Sequence, residues 1–521
     1  MKRLIYLLLT ICLISLWSSC RKDFEFTPST GSLEFSQDTL YLDTIFTNIG
    51  SSTYNFKVYN RGDEDIIIPS VRLALGESSQ YRLNVDGITG KTFQDIELLA
   101  NDSLFVFVEN TVDINDFSST NGEFLYTDQI EFDAGSNLQK VELVTLVKDA
   151  TFLFPERDGT TKIVNQLSIN IDGELVETEL QGRELAPSEL TLTNEKPYVI
   201  YGFLAVPVGE TLTIEAGARL HFHENSGIIV QSGASINVNG ELSSDQEVLE
   251  NEVILEGDRL EPSFANRPGQ WGTIWLLEGS INNTFNYTTI KNALVGILCD
   301  GEATATEDKL TITNSQIYNS GSFGILGRGT SIKGENLVVN NAGQAALGAT
   351  FGGKYNFTHC TLTNYWTNGP RPIPSVLVNN FIVGEEETAI VTDLIEANFN
   401  NCIIYGNDNP EFLVDEIEDD AVSFNFKLTN CLVRFDDRND NFTGANFDFD
   451  NPSLYENVIF NQNPDFKDPS MHMMIIGDDS AANGQGNNTF ASEVPTDILN
   501  VNRTTTPDIG AYQHITFPEE E

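Results

Sequence analysis

Leu212-Thr-Ile214, Leu220-His-Phe222, Ile228-Ile-Val230 and Ile236-Asn-Val238 keep an eight-residue beat between residues 212 and 238. Each triplet places two apolar residues two apart, which puts both side chains on one face of a strand. Polar or glycine-bearing corners separate the triplets: Glu215-Ala-Gly217-Ala, Glu224-Asn-Ser-Gly227 and Gln231-Ser-Gly233-Ala. Strands this short cannot cover a core alone, so they must stack. Short strands, tight corners and a fixed beat predict a coiled solenoid of strands, a parallel β-helix, with three strands and about 22–24 residues per coil.

Outward from this stretch the beat loosens. Thr289-Ile290-Lys-Asn292, Gln316-Ile317-Tyr-Asn319, Leu337-Val338-Val339-Asn340 and Thr361-Leu362-Thr-Asn364 end alike. Their anchors Ile290, Ile317, Val338 and Leu362 are spaced 27, 21 and 24 residues apart. The step of 42 from Leu362 to Ile404 fits two coils, with Val376-Leu-Val378-Asn379 between them. Cys360, Cys402 and Cys431 each precede an apolar doublet and read as small buried residues in equivalent rung positions. Upstream, residues 32–150 alternate apolar and polar, as in Tyr54-Asn-Phe56-Lys-Val58 and Leu104-Phe-Val106-Phe-Val108. Turn signals such as Asn60-Arg-Gly62 break the runs, which predicts an antiparallel β-sandwich.

At 521 residues the chain is long for one domain. Its 29 Lys+Arg stand against 76 Asp+Glu, a formal net charge of -47. Such a surface repels nucleic acid and anionic membranes, which excludes a nucleic-acid partner, and it favours divalent cations, calcium above all. Lys2 and Arg3 precede a largely apolar run from Leu4 to Trp17, a signal-peptide pattern too short to span a membrane stably. Removing residues 1–19 takes two positives and no acids, so the mature charge is 27 minus 76, or -49.

Several segments carry resemblances. Ser18-Ser19-Cys20 resembles a bacterial lipobox, although Trp17 departs from the usual small or branched residue. It implies that Cys20 bears the lipid and that the bilayer is a partner through an acyl anchor. Lys22-Asp23-Phe24-Glu25 resembles the export signal of surface lipoproteins in Bacteroidetes-type bacteria. Asp43-Thr-Ile-Phe46, Gly50-Ser and Phe56-Lys-Val-Tyr-Asn60 resemble the immunoglobulin-like domains that precede β-helices in such lipoproteins. The corner asparagines resemble the ladders of right-handed β-helices. Asn463-Pro-Asp465-Phe466, Ser480-Ala481, Gly484 and Asp508-Ile-Gly510-Ala-Tyr512 resemble the C-terminal segment of bacterial β-helix surface proteins.

Together these resemblances imply an all-β outer-membrane lipoprotein, facing the cell surface or the periplasm. An immunoglobulin-like β-sandwich precedes a right-handed parallel β-helix of the pectate-lyase-like superfamily. The expected order is signal peptide 1–19, lipidated tether 20–31, sandwich 32–150, connector 151–205, β-helix 206–460 and C-terminal cap 461–521.

The chemistry is sparser. The chain has no Gly-His-Gly and no Arg-x-Lys of the polygalacturonase type. No Cys spacing suits zinc. His221 and His223 flank Phe222 and would share an outward strand face with Arg219, a poor metal pair beside a cation. Asp437-Arg-Asn439-Asp-Asn441 alternates oxygen ligands, but Phe442 stands where an EF-hand needs glycine. A looser calcium site on Asp436, Asp437, Asp440 and Asp448 is the one cofactor expectation. Trp271 and Trp275, four apart, would share a strand face as a glycan-stacking platform if exposed, and would fill the core if buried. Three functions remain open at this level. The leading one is non-enzymatic binding of a polysaccharide or surface protein. The others are a polysaccharide lyase or glycoside hydrolase, and a structural stalk; the catalytic residues are not named by the sequence.

Overall fold

The computed structural model describes residues 25–518, apart from 118–121, 134, 172–173, 302, 304–306, 385–387 and 439. Cys20 and the signal segment lie outside the described residues. The chain is all-β; among the described residues its one α-helix is the six-residue Asn488–Glu493. It divides into two compact units, Met1–Asp149 and Ala150–Glu521.

The first unit has two sheets. One holds Thr27–Pro28, Ile66–Leu73, Glu123–Phe132, Gln139–Lys148 and Thr39–Phe46, with Thr92–Leu98 on Ile66–Leu73. The other runs Glu34–Phe35, Tyr54–Tyr59, Ser103–Asn110, Tyr81–Val85, Ile88–Gly90, all antiparallel. Strict alternation decides the faces: in Ser103–Asn110, Leu104, Val106 and Val108 point inward, while Phe105 and Phe107 are exposed. The inward residues of both sheets form one core with Leu42, Phe56, Ile68, Tyr81 and Phe132.

In the second unit the eight-residue beat is realised as strands Thr211–Glu215, Arg219–Phe222, Gly227–Val230 and Ser235–Asn239. Leu212 lies beside Ile236 in parallel register, three beats on. All eight apolar residues of the four triplets are buried in a single core. Full burial of each such side chain contributes roughly 1.5–3 kcal/mol, so the stack rather than any one strand is stable. Eleven parallel strands, from Thr151–Leu153 to Ile459–Phe460, make one face of the coil. The other strands of each coil belong to an 18-stranded sheet that wraps the remaining faces.

Four details differ from the sequence reading. Residues 151–205 are not a connector: Thr151–Leu153 and Tyr198–Ile200 are already rungs, paired with each other. The residue in register with Ile317 and Leu362 is Val339, not Val338. A slip of one residue reverses the face, and Val338 points outward. The 42-residue step is one coil, because Leu362 pairs directly with Ile404. Its extra length is a hairpin, Phe381–Val383 with Ala389–Val391, inserted between Val376–Asn379 and Leu394–Asn400.

The fourth concerns the ends. Residues 461–518 do not close the solenoid; they lie along its flank as a strap. Met474, Ile498 and Tyr512 pack on outward Val338, and Ile476, Ala482 and Ile509 pack on Ile403 and Leu432. Corner asparagines tie the strap down: Asn336 Nδ2 donates to Thr496 O, and Asn401 Nδ2 to Asn487 O. Buried Arg503 donates to Gly510 O, Ala511 O and Asn336 Oδ1. The open end is covered instead by Phe442, Phe447, Phe449 and Phe460, packed against Phe435 and Tyr455. An uncovered coil would expose its core and its strand edges, so an aromatic plug here is physically required.

Corner asparagines do stack. Asn336 Nδ2 donates to Asn314 Oδ1 at 2.9 Å and Asn314 Nδ2 to Asn286 Oδ1 at 3.0 Å. Asn314 and Asn336 hold φ of 46° and 50°, the left-handed bend that asparagine tolerates better than most residues. Cys360, Cys402 and Cys431 are free, fully buried and consecutive in the coil stack.

Candidate functional site

A groove of about 1120 Å³ lies on the second unit, where the eleven-stranded face turns into the next face. Its wall comes from Phe152 and the residues just after Thr151–Leu153 and from Glu174–Glu184, and its floor from the successive corners at Tyr201, His223 and Gly272-Thr273, with Trp275 on the strand that follows the last of them. The corner at Gly202 has φ of 68°, and a Cβ there would stand 2.7 Å from Gln181 O, so only glycine lets wall and floor approach. Gly202 N–H donates to Ser226 Oγ at 2.8 Å, which binds one corner to the next.

Phe152, Phe154, Tyr201, Phe203 and Trp275 all line this space. Phe154 is 59% exposed on the wall. Tyr201 lies against the His223 ring, centroids 4.4 Å apart and 31° from parallel. Trp275 is half-buried, and its Nε1–H donates to Asp300 Oδ2 at 2.8 Å. Asp300 is itself gripped through both oxygens by Arg328. The indole is therefore held in one orientation, which lowers the entropic cost of stacking a ligand on it.

His223 Nδ1 lies 2.7 Å from Asp258 Oδ2. That hydrogen bond holds the imidazole above its usual range, against a smaller opposing effect of burial. Burial raises the Tyr201 phenol, with the Asp258 charge adding to it. Glu179 and Glu224 also line the groove, against one arginine, Arg157. The site thus offers stacking faces, hydrogen-bonding groups and a negative balance.

The residues singled out from sequence separate here. Trp271 is not exposed: its strand face is lost because the chain leaves strand geometry at residues 272–273. The ring is 2% exposed, stacks on Phe222 at 4.3 Å and donates Nε1–H to Lys291 O at 2.9 Å. The two tryptophans therefore make no common platform, and only Trp275 reaches the groove. His221 and His223 also part. His221 is buried beside Glu256, which pairs with Lys291 at 2.7 Å, while His223 lies past the strand end.

The calcium quartet does not converge. Among the described residues no three His, Cys, Asp or Glu side chains are gathered as metal ligands. Asp436 pairs with Arg438, Asp437 accepts the backbone N–H groups of Asn441 and Phe442 at 2.9 Å, and Asp440 and Asp448 are exposed. Asp437 thus shapes the turn that brings Phe442 into the aromatic plug. Tyr201, Phe154 and the His223–Asp258 pair were not signalled by sequence, because corner and loop residues follow no period.

No protein-family model matches the chain, and no curated protein matches it. Among solved structures, the Agl-KA catalytic domain is similar at 12% identity, covering 80% of this chain and 80% of that one, with a TM-score of 0.19. The catalytic domain of a GH87 α-1,3-glucanase is similar at 10% identity, covering 73% of this chain and 81% of that one, with a TM-score of 0.18. The PapD-like domain 7 of human CEP192 is similar at 14% identity, over 25% of this chain and 94% of that domain, with a TM-score of 0.15. These likenesses assign the chain to no family.

Proposed function

We propose that this is a lipid-anchored cell-envelope protein in which an immunoglobulin-like sandwich carries a right-handed parallel β-helix that binds a neutral glycan. The observation that carries the binding role is the groove with Phe154, Tyr201 and the fixed Trp275 indole. Sugar rings present C–H faces that pack on aromatic rings, and their hydroxyls pair with surrounding carboxylates and amides. Glu179 and Glu224 oppose a carboxylated sugar here, which favours a neutral one. Calorimetric titration with neutral oligosaccharides tests this. Trp275→Ala is expected to weaken binding about tenfold, or ~1.4 kcal/mol. If no neutral oligosaccharide binds, or Trp275→Ala binds as well as the parent, the groove reading is lost.

The His223–Asp258 pair in the same groove favours a second reading, acid–base chemistry on the bound glycan. In that case the same incubations release new reducing ends, and His223→Gln abolishes them. Ser18-Ser19-Cys20 supports the anchor, and an outer-membrane position belongs to the same proposal. Cys20→Ser followed by fractionation tests it: release into the soluble fraction is expected, and a variant that stays with membranes sinks the lipidation.

A further inference from the structure

The first unit turns an aromatic pair outward beside a hollow lined by cations. Strand Ser103–Asn110 turns Phe105 and Phe107 outward, 45% and 39% exposed. Their rings stack with centroids 5.9 Å apart and 24° from parallel, forming one apolar ridge on the sheet face. Single exposed apolar residues are ordinary; a stacked aromatic pair is a larger apolar surface than a strand's outward face usually carries. In register beside the pair stand Lys57, with Nζ 4.7 Å from the Phe105 ring centre, and Asn55 and Asn84 on either side of Phe107.

Phe107 also walls a hollow of about 540 Å³ together with Arg82, Asn84, Lys91 and Glu109. Lys91 Nζ donates to Glu77 O and Ser79 O, and it has no carboxylate partner among the described residues. Arg82 donates to Thr111 Oγ1 at 3.2 Å and stands 3.8 Å from Glu109, with both side chains about half exposed. Exposed pairs at that distance are weak, so the guanidinium remains available. Arg82 and Lys91 thus line the hollow against Glu109, and Lys57 lies over Phe105 beside it, on a chain whose net charge is -47. A local positive balance on so acidic a protein selects an anionic ligand, and the exposed Phe107 ring selects one with a carbon face to lay against it.

We propose that this face binds a uronate residue of an acidic glycan, its ring on Phe107 and its carboxylate between Arg82 and Lys91. Arg82 offers the forked donor set that matches a carboxylate, and Lys91 adds a point charge. The surrounding negative charge repels the rest of a polyanion, so the site takes a short stretch, and its affinity falls with salt.

The test titrates trigalacturonate into the full mature chain at low salt. Binding is expected, undiminished in Trp275→Ala, weakened at least about tenfold in Phe107→Ala and in Arg82→Gln/Lys91→Gln, and reduced at about 0.15 M salt. Circular dichroism checks that each variant is folded; the paired Gln variant, changing only half-exposed and hollow-lining cations, serves if Phe107→Ala does not fold. A neutral galactose trimer should not compete. No binding, binding that both sets of variants retain, or equal competition by the neutral trimer overturns the proposal. Loss of binding in Trp275→Ala alone would overturn it too, by moving the uronate to the groove.

Discussion

Replacing Trp271 with Ala tests which of two nearby rings belongs to the core. The indole is buried, lies on Phe222 and donates to the Lys291 carbonyl. Truncating a buried tryptophan costs about 3–5 kcal/mol in lost burial and cavity formation. Leaving the Lys291 carbonyl without its donor adds about 1 kcal/mol, for a total of roughly 4–6 kcal/mol. Trp271→Phe should recover most of the packing and lose chiefly the N–H, a residual cost of about 1–2 kcal/mol. Trp275→Ala, at a half-buried ring, should cost less than about 1 kcal/mol while losing ligand. Guanidinium denaturation of the full chain, followed by circular dichroism, reads the transition of the second unit. If Trp271→Ala unfolds within about 0.5 kcal/mol of the parent while Trp275→Ala falls far below it, the two rings have been assigned to the wrong sides of the coil wall.

The aromatic plug gives a second expectation. Phe449 sits 4.9 Å from the rings of Phe435, Tyr455 and Phe460, so Phe449→Asp should uncover the coil end and produce concentration-dependent oligomers; light scattering that shows an unchanged monodisperse mass would refute this. Arg503→Met removes donors from three buried acceptors and should cost about 3 kcal/mol, seen as early proteolysis of the strap while the coils resist; uniform or unchanged digestion counts against it. The third concerns pH. Burial, with Arg503 adding to it, holds the His359 imidazole well below 6.5, whereas unfolded histidine titrates near that value. The unfolded state then binds more protons, so this contribution is complete above about pH 6.5 and stability falls as pH drops below it. His359→Gln should therefore flatten the melting temperature between about pH 7.5 and pH 5 relative to the parent, and parallel profiles would contradict the buried neutral state.

The coils were legible wherever the residues that make a strand also bury it. Between Leu212 and Val238 each triplet states its own inward face, and the structure follows it residue for residue. At Leu337-Val338-Val339 three apolar residues in a row erase that statement. The register is then set by what lies outside, since Val338 is buried under Met474 and Tyr512 from the strap. The same holds for the plug: phenylalanines in an acidic stretch read locally as part of a polar loop, and only the open coil end explains them. Trp275 could be named from sequence but not separated from Trp271, because the break at residues 272–273 carries no periodic mark. Tyr201 and His223 meet through corners of adjacent coils, 22 residues apart, a distance that no local pattern encodes.

The strap has a consequence for how the chain is made. Coils that touch only their neighbours can settle one after another as the chain emerges, from the N-terminal side onward. The outward faces of Val338, Ile403 and Leu432 wait for partners that lie between Met474 and Tyr512, downstream of every one of these rungs. Until that segment arrives, those rungs present bare apolar ridges to whatever surrounds the folding chain. Premature termination near residue 460 would leave every coil synthesised and the flank uncovered, so a truncated product should depend on chaperones far more than its number of completed coils suggests.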